Sequence, residues 1–208
     1  MPEDAPVYTS YLKLQGLSAY RTRTTMTSEH PRMAQMQASG MSLSPVEGVV
    51  KPGIQQITMR LRLPASDLPG QLDDWEIRSV IKGSREVHRF SSSAAPRYLA
   101  QGEPAQGFFR WQCNELPARA GGSGPRGDAR LTDLRDLGSQ TVAGQPVHRY
   151  GFHVTEEGRV HGPLQLDVAE DGGLPVRLKL AEPDGPGRMT VDYYGFGQPA
   201  EIEVPPCL

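Results

Sequence analysis

Cysteine and lysine are scarce in this chain, and long apolar runs are missing. Only Cys113 and Cys207 occur among 208 residues, too far apart in sequence for a CxxC redox pair or a zinc motif. No run of 18 apolar residues exists, so the sequence offers no transmembrane helix. A surplus of one charge is also lacking: 22 basic residues face 24 acidic ones, for a formal net charge of −2. A duplex-DNA binder needs a strong basic excess to neutralise phosphates, so no nucleic-acid partner is expected. The basic residues are 18 arginines and 4 lysines, a skew read as genomic bias. The opening Met1-Pro2-Glu3-Asp4-Ala5-Pro6 is acidic, without the basic start and apolar core of a secretory leader. The expectation is a cytosolic protein, or an exported one whose leader has been removed. The penultimate Cys207 does not fit a prenylation box.

Punctuation is abundant. With 23 glycines and 19 prolines, about one residue in five is a breaker, which favours strands joined by turns over long helices. Between the breakers the chain alternates. Residues 20–28 place Tyr20, Thr22, Thr24 and Met26 on one face and Arg21, Arg23, Thr25 and Thr27 on the other, a half-buried strand. Ile57, Met59, Leu61 and Leu63 alternate with Gln56, Thr58, Arg60 and Arg62. Trp75, Ile77, Ser79 and Ile81 alternate with Glu76, Arg78, Val80 and Lys82, and Gly83-Ser84 turns into 86–90 as a hairpin. Tyr150, Phe152 and Val154, then Leu164, Leu166 and Val168, then Val176, Leu178 and Leu180, then Met189, Val191 and Tyr193 repeat the pattern, with turns at 171–173 and 183–187. Residues 32–51 read as one or two strands. Apolar spacings of three and four predict short helices at 7–17 and, from Leu131, Leu134 and Leu137, at 129–137. A helical turn is expected near 97–101, and a flexible loop at 117–128.

Most chemical motifs fail on context. Gly122-Ser123-Gly124-Pro125-Arg126-Gly127 matches G-x-G-x-x-G, but Pro117-Ala118-Arg119-Ala120 precedes it and Pro125 interrupts it, where a dinucleotide site needs a strand and then a helix. Arg126-Gly127-Asp128 is a chance tripeptide. The histidines His30, His88, His148, His153 and His161 show no H-x-x-x-H spacing, so no metal is expected; neither is a cofactor. No G-x-S-x-G occurs, so no catalytic residue is assigned. The pairs Arg21/Arg23 and Arg60/Arg62 read as a solvated sheet face, with a basic strip toward acidic headgroups as the alternative. Phe108, Phe109, Trp75 and Trp111 read as core aromatics.

The C-terminal stretch carries a resemblance. Gly144 precedes a strand, followed by Leu166-Asp167-Val168-Ala169, Gly173-Leu174-Pro175-Val176-Arg177, and Val191-Asp192-Tyr193-Tyr194-Gly195-Phe196-Gly197-Gln198-Pro199; Ile202-Glu203-Val204-Pro205 closes the chain. In order and spacing this resembles the bacterial lipoprotein-carrier superfamily, the LolA and LppX/LprG-like envelope proteins. The likeness covers about 138–206; residues 7–90 match in layout only. The resemblance implies a mainly β (α+β) fold, a strongly curved antiparallel sheet forming an incomplete barrel lidded by a few short helices, over one domain spanning 1–208. It implies an exported, periplasmic or cell-envelope, monomeric and non-enzymatic protein. Its partners are then a lipid or lipoprotein acyl chain and a membrane-associated protein.

The side chains expected on the concave apolar face are Ile57, Met59, Leu61, Trp75, Ile77, Tyr150, Phe152, Val154, Leu164, Leu166, Val168, Val176, Leu178, Leu180, Met189, Val191 and Tyr193. Two other readings compete: an envelope scaffold whose sheet is filled, and a hydrolase, which requires a clustered Ser, His and acid. If the protein is exported, Cys113 and Cys207 are expected to pair, tying the segment 108–113 to the C-terminal end. Otherwise both are free thiols.

Overall fold

Period-two alternation builds most of the molecule. The computed structural model describes residues 5–28, 31–65, 70–83, 85–96, 110–117, 130–156, 159–181 and 187–208. The helix α1 (Ala5–Gln15) leads into β1 (Tyr20–Ser28). The helix α2 (Pro31–Ala38) is followed by the short β2 (Ser42–Leu43), then β3 (Val46–Lys51), β4 (Ile54–Pro64), β5 (Leu72–Lys82), β6 (Arg85–Ser92) and β7 (Gln112–Pro117). The C-terminal half supplies β8 (Arg130–Val142), β9 (Gln145–Glu156), β10 (Arg159–Ala169), β11 (Pro175–Ala181) and β12 (Gly187–Tyr194).

Among the described residues the strands form one sheet in the order β7-β6-β5-β4-β3-β1-β12-β11-β10-β9-β8, with β2 added on β4. Every pairing is antiparallel. The curved sheet is not closed into a barrel, which is the expected mainly β architecture. β1 joins the halves, pairing β3 on one side and β12 on the other. The β1–β3 seam is close enough to demand glycine: a Cβ on Gly48 would overlap Thr22 Oγ1, its partner in register.

The register confirms one shared face. Leu164 stands opposite Phe152 and Leu180, Leu166 opposite Tyr150 and Leu178, and Leu178 opposite Val191. Strands two residues out of phase in the sequence thus present one apolar side.

Two expectations from local spacing are corrected. Residues 130–137 are not a helix: they belong to β8. The ladder to β9 shifts between Thr132 and Arg135 and again between Asp136 and Ser139. At each shift three steps on β8 oppose two on β9, so each bulge inserts one residue. Two bulges in a strand turn period two into the three-residue spacing of Leu131, Leu134 and Leu137, which imitates a helix. Asp133 and Gly138, both at positive φ (54° and 79°), mark the irregularities. Residues 32–51 hold β2 and β3 but begin with α2, whose Pro31 start suits a first helical turn. The helical turn expected near 97–101, the loop at 118–128 with its glycine motif, and the turn at 183–186 lie outside the described residues.

Candidate ligand-binding face

The inner face falls into two parts. Over β8–β12 and β1 it is covered by α1. Val7 (1% exposed) and Leu14 (2%) are the helix's buried anchors. Val7 packs with Phe152, Leu164, Leu166 and Val168, and with half-buried Tyr150, Val154, Leu178 and Leu180. Leu14 packs with Tyr20 and Tyr193, flanked by Val191 and Leu17. Helical spacing explains the choice: Val7, Tyr11 and Leu14 recur at four and three residues and share one stripe.

The polar groups under this helix are satisfied. Ser10 Oγ donates to the Val7 carbonyl at 2.7 Å, and Lys13 Nζ reaches across to the Gly172 carbonyl at 3.0 Å. Tyr11 and Tyr193 are hydrogen-bonded to each other. Burial pushes both phenols up, Tyr193 well above its ordinary value, so the pair stays neutral.

Over β4–β6 the same face is only half-buried. Ile57, Met59, Leu61, Trp75 and Ile77 all lie there, with Met59 opposite Ile77, Leu61 opposite Trp75, and Ile77 opposite Phe90. Met189, on β12, is half-buried as well. Leu61 and Trp75 also border a cleft of about 720 Å³ whose remaining walls are polar, including Ser42, Ser44, Arg60, Arg62, Asp74 and Glu76.

Val176 departs from the expected set. The register slips between Asp167 and Val168, so that Asp167 faces Arg177 while Val168 faces Pro175, which leaves Val176 as the extra residue. It clusters with Val142, Val147 and Ala169, and Val147 alternates away from the Tyr150–Phe152 face.

Sequence reasoning missed a polar group within the half-buried part. Ser79 Oγ and His88 Nδ1 share a hydrogen bond at 2.7 Å, and His88 Nε2 lies 3.8 Å from Glu86 Oε1. Ser79 stands opposite both Ile57 and His88, so the cluster sits on the apolar face. Its signal was the same alternation, Glu86-His88-Phe90 following Ser79-Ile77-Trp75, read across the hairpin. The order Ser–His–Glu is that of a hydrolase triad. However, Ser79 is mid-strand between β4 and β6, where the ladders commit the neighbouring backbone N–H groups and leave no ready oxyanion donors. The arrangement can bind and orient a polar group.

The outer face is charge-balanced. Arg23 pairs with Glu47 at 2.8 Å, Arg60 with Glu76 at 3.1 Å and Arg62 with Asp74 at 2.7 Å, so three of the four arginines in the β1 and β4 pairs face a carboxylate. Arg149 meets the buried Asp167 through two hydrogen bonds, at 2.6 and 3.0 Å. Over β4–β6 the C-terminal segment lies across this face. The Glu203 carboxylate accepts from Arg78 at 2.7 Å, from Arg89 at 2.7 and 3.0 Å, and from the Trp111 indole at 3.3 Å. Lys82 Nζ donates to the Leu208 carbonyl at 2.9 Å. The segment therefore passes the buried Val80, between Arg78 and Lys82. Cys207 is disulfide-bonded; the side chain of Cys113 lies outside the described set. Trp111 serves this clamp, with Arg89 5.0 Å over its ring. Phe108 and Phe109 lie outside the described residues.

Elsewhere, His148 Nε2 is 2.6 Å from Asp136 Oδ1, and His153 Nδ1 is 3.5 Å from Asp133 Oδ2. No cluster of three metal-ligating side chains occurs among the described residues.

No protein-family model matches the sequence, and no curated protein matches it. Solved structures do match. The lipoprotein LppX of Mycobacterium tuberculosis is 12% identical with a TM-score of 0.51, covering 97% of this chain and 98% of its own. LprF of Mycobacterium bovis is 12% identical with a TM-score of 0.53, covering 98% and 96%. The chain therefore shares the fold of LppX and LprF. No helix among the described residues is long and apolar enough to cross a membrane.

Proposed function

We propose that this chain is a single-domain, non-enzymatic cell-envelope carrier that holds a lipid or lipoprotein acyl chain against the inner face of its sheet. The observation that carries the reading is the unequal cover of that face. α1 fully buries Phe152, Leu164, Leu166 and Val168 on β9 and β10, whereas Ile57, Met59, Leu61, Trp75 and Ile77 on β4 and β5 are all only half-buried. An acyl chain laid there gains about 0.8 kcal/mol per methylene removed from water, without specific contacts. The fold shared with LppX and LprF supports the same reading.

Export and the disulfide go together. A disulfide persists in an oxidising compartment, and Cys113 is the only other cysteine in the chain. It is therefore our assigned partner for Cys207, and a periplasmic or envelope location follows from that assignment.

Native mass spectrometry of protein purified from an envelope extract, followed by solvent extraction, tests the proposal. A mass adduct that resolves into acyl lipid is the expected result. Protein that emerges folded and lipid-free from every such extract would shift the assignment to a protein-binding scaffold.

A further inference from the structure

Ser79, His88 and Glu86 form a polar cluster on the inner face of β5 and β6, with Gln112 opposite His88 and Gln55 opposite Ile81 on the same side. On β4–β6 their neighbours across the ladders are Ile57 and Ile81, and one row along the strands lie Ile77 and Phe90. The His88 side chain is 24% exposed and that of Glu86 16%. A carboxylate so placed is costly unless it has a partner. Arg78 and Arg89 alternate to the opposite side of the sheet, where Glu203 holds them. Among the described residues no lysine or arginine shares the inner face of β4–β6.

The hydrogen-bond inventory of the cluster is incomplete in a specific way. His88 Nδ1 is engaged by Ser79. Nε2 and the Glu86 carboxylate face each other at 3.8 Å, beyond direct hydrogen-bond reach. A group that fills this gap has to accept from an N–H and donate to a carboxylate at the same time. An alcohol hydroxyl does both. An ester or ether oxygen only accepts, and a fatty-acid carboxylate or a phosphate only accepts and also meets the charge of Glu86. Resting on the carrier reading above, we propose that Ser79, His88 and Glu86 form a recognition point for the free hydroxyl of a neutral acyl lipid, whose chains lie on the flanking apolar side chains. The cluster selects cargo by one donor–acceptor group, while the apolar face binds chains of any kind.

Three probes of matched chain type test this: dioleoylglycerol, its O-methyl ether, and oleate, each presented to the purified protein in identical detergent micelles and read by co-elution. A hydrogen bond to a charged acceptor predicts that dioleoylglycerol binds about tenfold more tightly than its methyl ether. That preference is expected to vanish in Glu86→Ala, which removes the acceptor that only the hydroxyl can use, whereas His88→Phe, which removes the N–H that either oxygen can accept from, is expected to weaken alcohol and ether alike. Circular dichroism confirms that each variant is folded. Equal binding of the alcohol and the ether by the unaltered protein overturns the recognition point and leaves the carrier reading standing. Tighter binding of oleate than of dioleoylglycerol overturns it in favour of an anion site. Failure of all three probes to bind overturns the carrier reading, and this inference with it.

Discussion

The two halves of the sheet are held from opposite sides. The β8–β12 half is pinned from within, by a helix whose Val7 and Leu14 are almost completely buried on the apolar face. The β4–β6 half is pinned from without, by a C-terminal segment that grips Arg78, Arg89 and Lys82 on the polar face. The internal helix buries Phe152, Leu164, Leu166 and Val168 behind it. An external strap secures the strands while leaving their inner apolar face for something else. On the carrier reading proposed above, one continuous sheet thus contains a structural half and a binding half, and the difference lies in which face the cover occupies.

The largest expected effect sharpens the external half of this comparison. If Cys207 pairs with Cys113, the disulfide closes most of the C-terminal half of the chain into one loop. Chain entropy then predicts that Cys207→Ser costs about 4 kcal/mol, and less where the reduced chain keeps residual structure. Urea denaturation of the oxidised protein and the variant measures it. Peptide mapping that finds Cys113 as a free thiol removes the pairing.

The internal half is tested by a contrast. Leu166 is fully buried in the cluster beneath α1, so Leu166→Ala should cost about 3 kcal/mol by transfer and cavity terms together. Ile77 is half-buried, and Ile77→Ala should cost about 1 kcal/mol while reducing the lipid that co-purifies. Equal destabilisation by the two substitutions would show that both halves are packed cores and that the distinction drawn here is wrong.

Asp167 gives a comparable test on the polar side of the same half. Its side chain is 1% exposed and bridged to Arg149. Asp167→Ala removes the anion and strands a half-buried guanidinium, for an expected loss of about 3 kcal/mol. A change within experimental error of zero would mean that water reaches Arg149 freely.

How much of this was legible in the sequence follows from distance along the chain. Strands with an unbroken period of two, such as β4 and the paired stretches of β9 to β12, could be read directly, because alternation is a local property. β8 could not, since two bulges changed its period to three. Val176 was misplaced by a single bulge of the same kind. The Ser79–His88–Glu86 cluster was half-visible: each residue falls in an alternating run, but only the register of the hairpin shows that they meet. The Glu203 clamp was invisible. Its arginines lie more than 100 positions away, and nothing local to an Ile-Glu-Val-Pro segment indicates which strands it crosses.

The clamp also yields the smallest and most specific prediction. Burial pushes the Glu203 carboxyl up, but Arg89, the Trp111 indole and Arg78 outweigh it and hold the group below the usual carboxylate range. A carboxyl whose folded value is lowered adds stability above its unfolded value, about 4.3. That contribution disappears as the pH falls through the folded value. Because the side chain is 43% exposed, solvent screening limits the contribution to about 1 kcal/mol or less. Glu47, Asp74 and Asp136 are also lowered, so overall acid sensitivity does not isolate the clamp; the difference between the protein and Glu203→Gln does, because the other carboxylates cancel. That difference, measured as a shift in Tm, should be fully present at pH 7 and should shrink toward zero as the pH falls below the unfolded carboxylate value and through the lowered folded one. A difference that persists unchanged at the lower pH would mean that Glu203 acts through packing of the C-terminal segment and not through its charge. The external strap would then be held by that packing, the disulfide, the Lys82–Leu208 contact and the bond from the Glu203 backbone N–H to Gln56 Oε1.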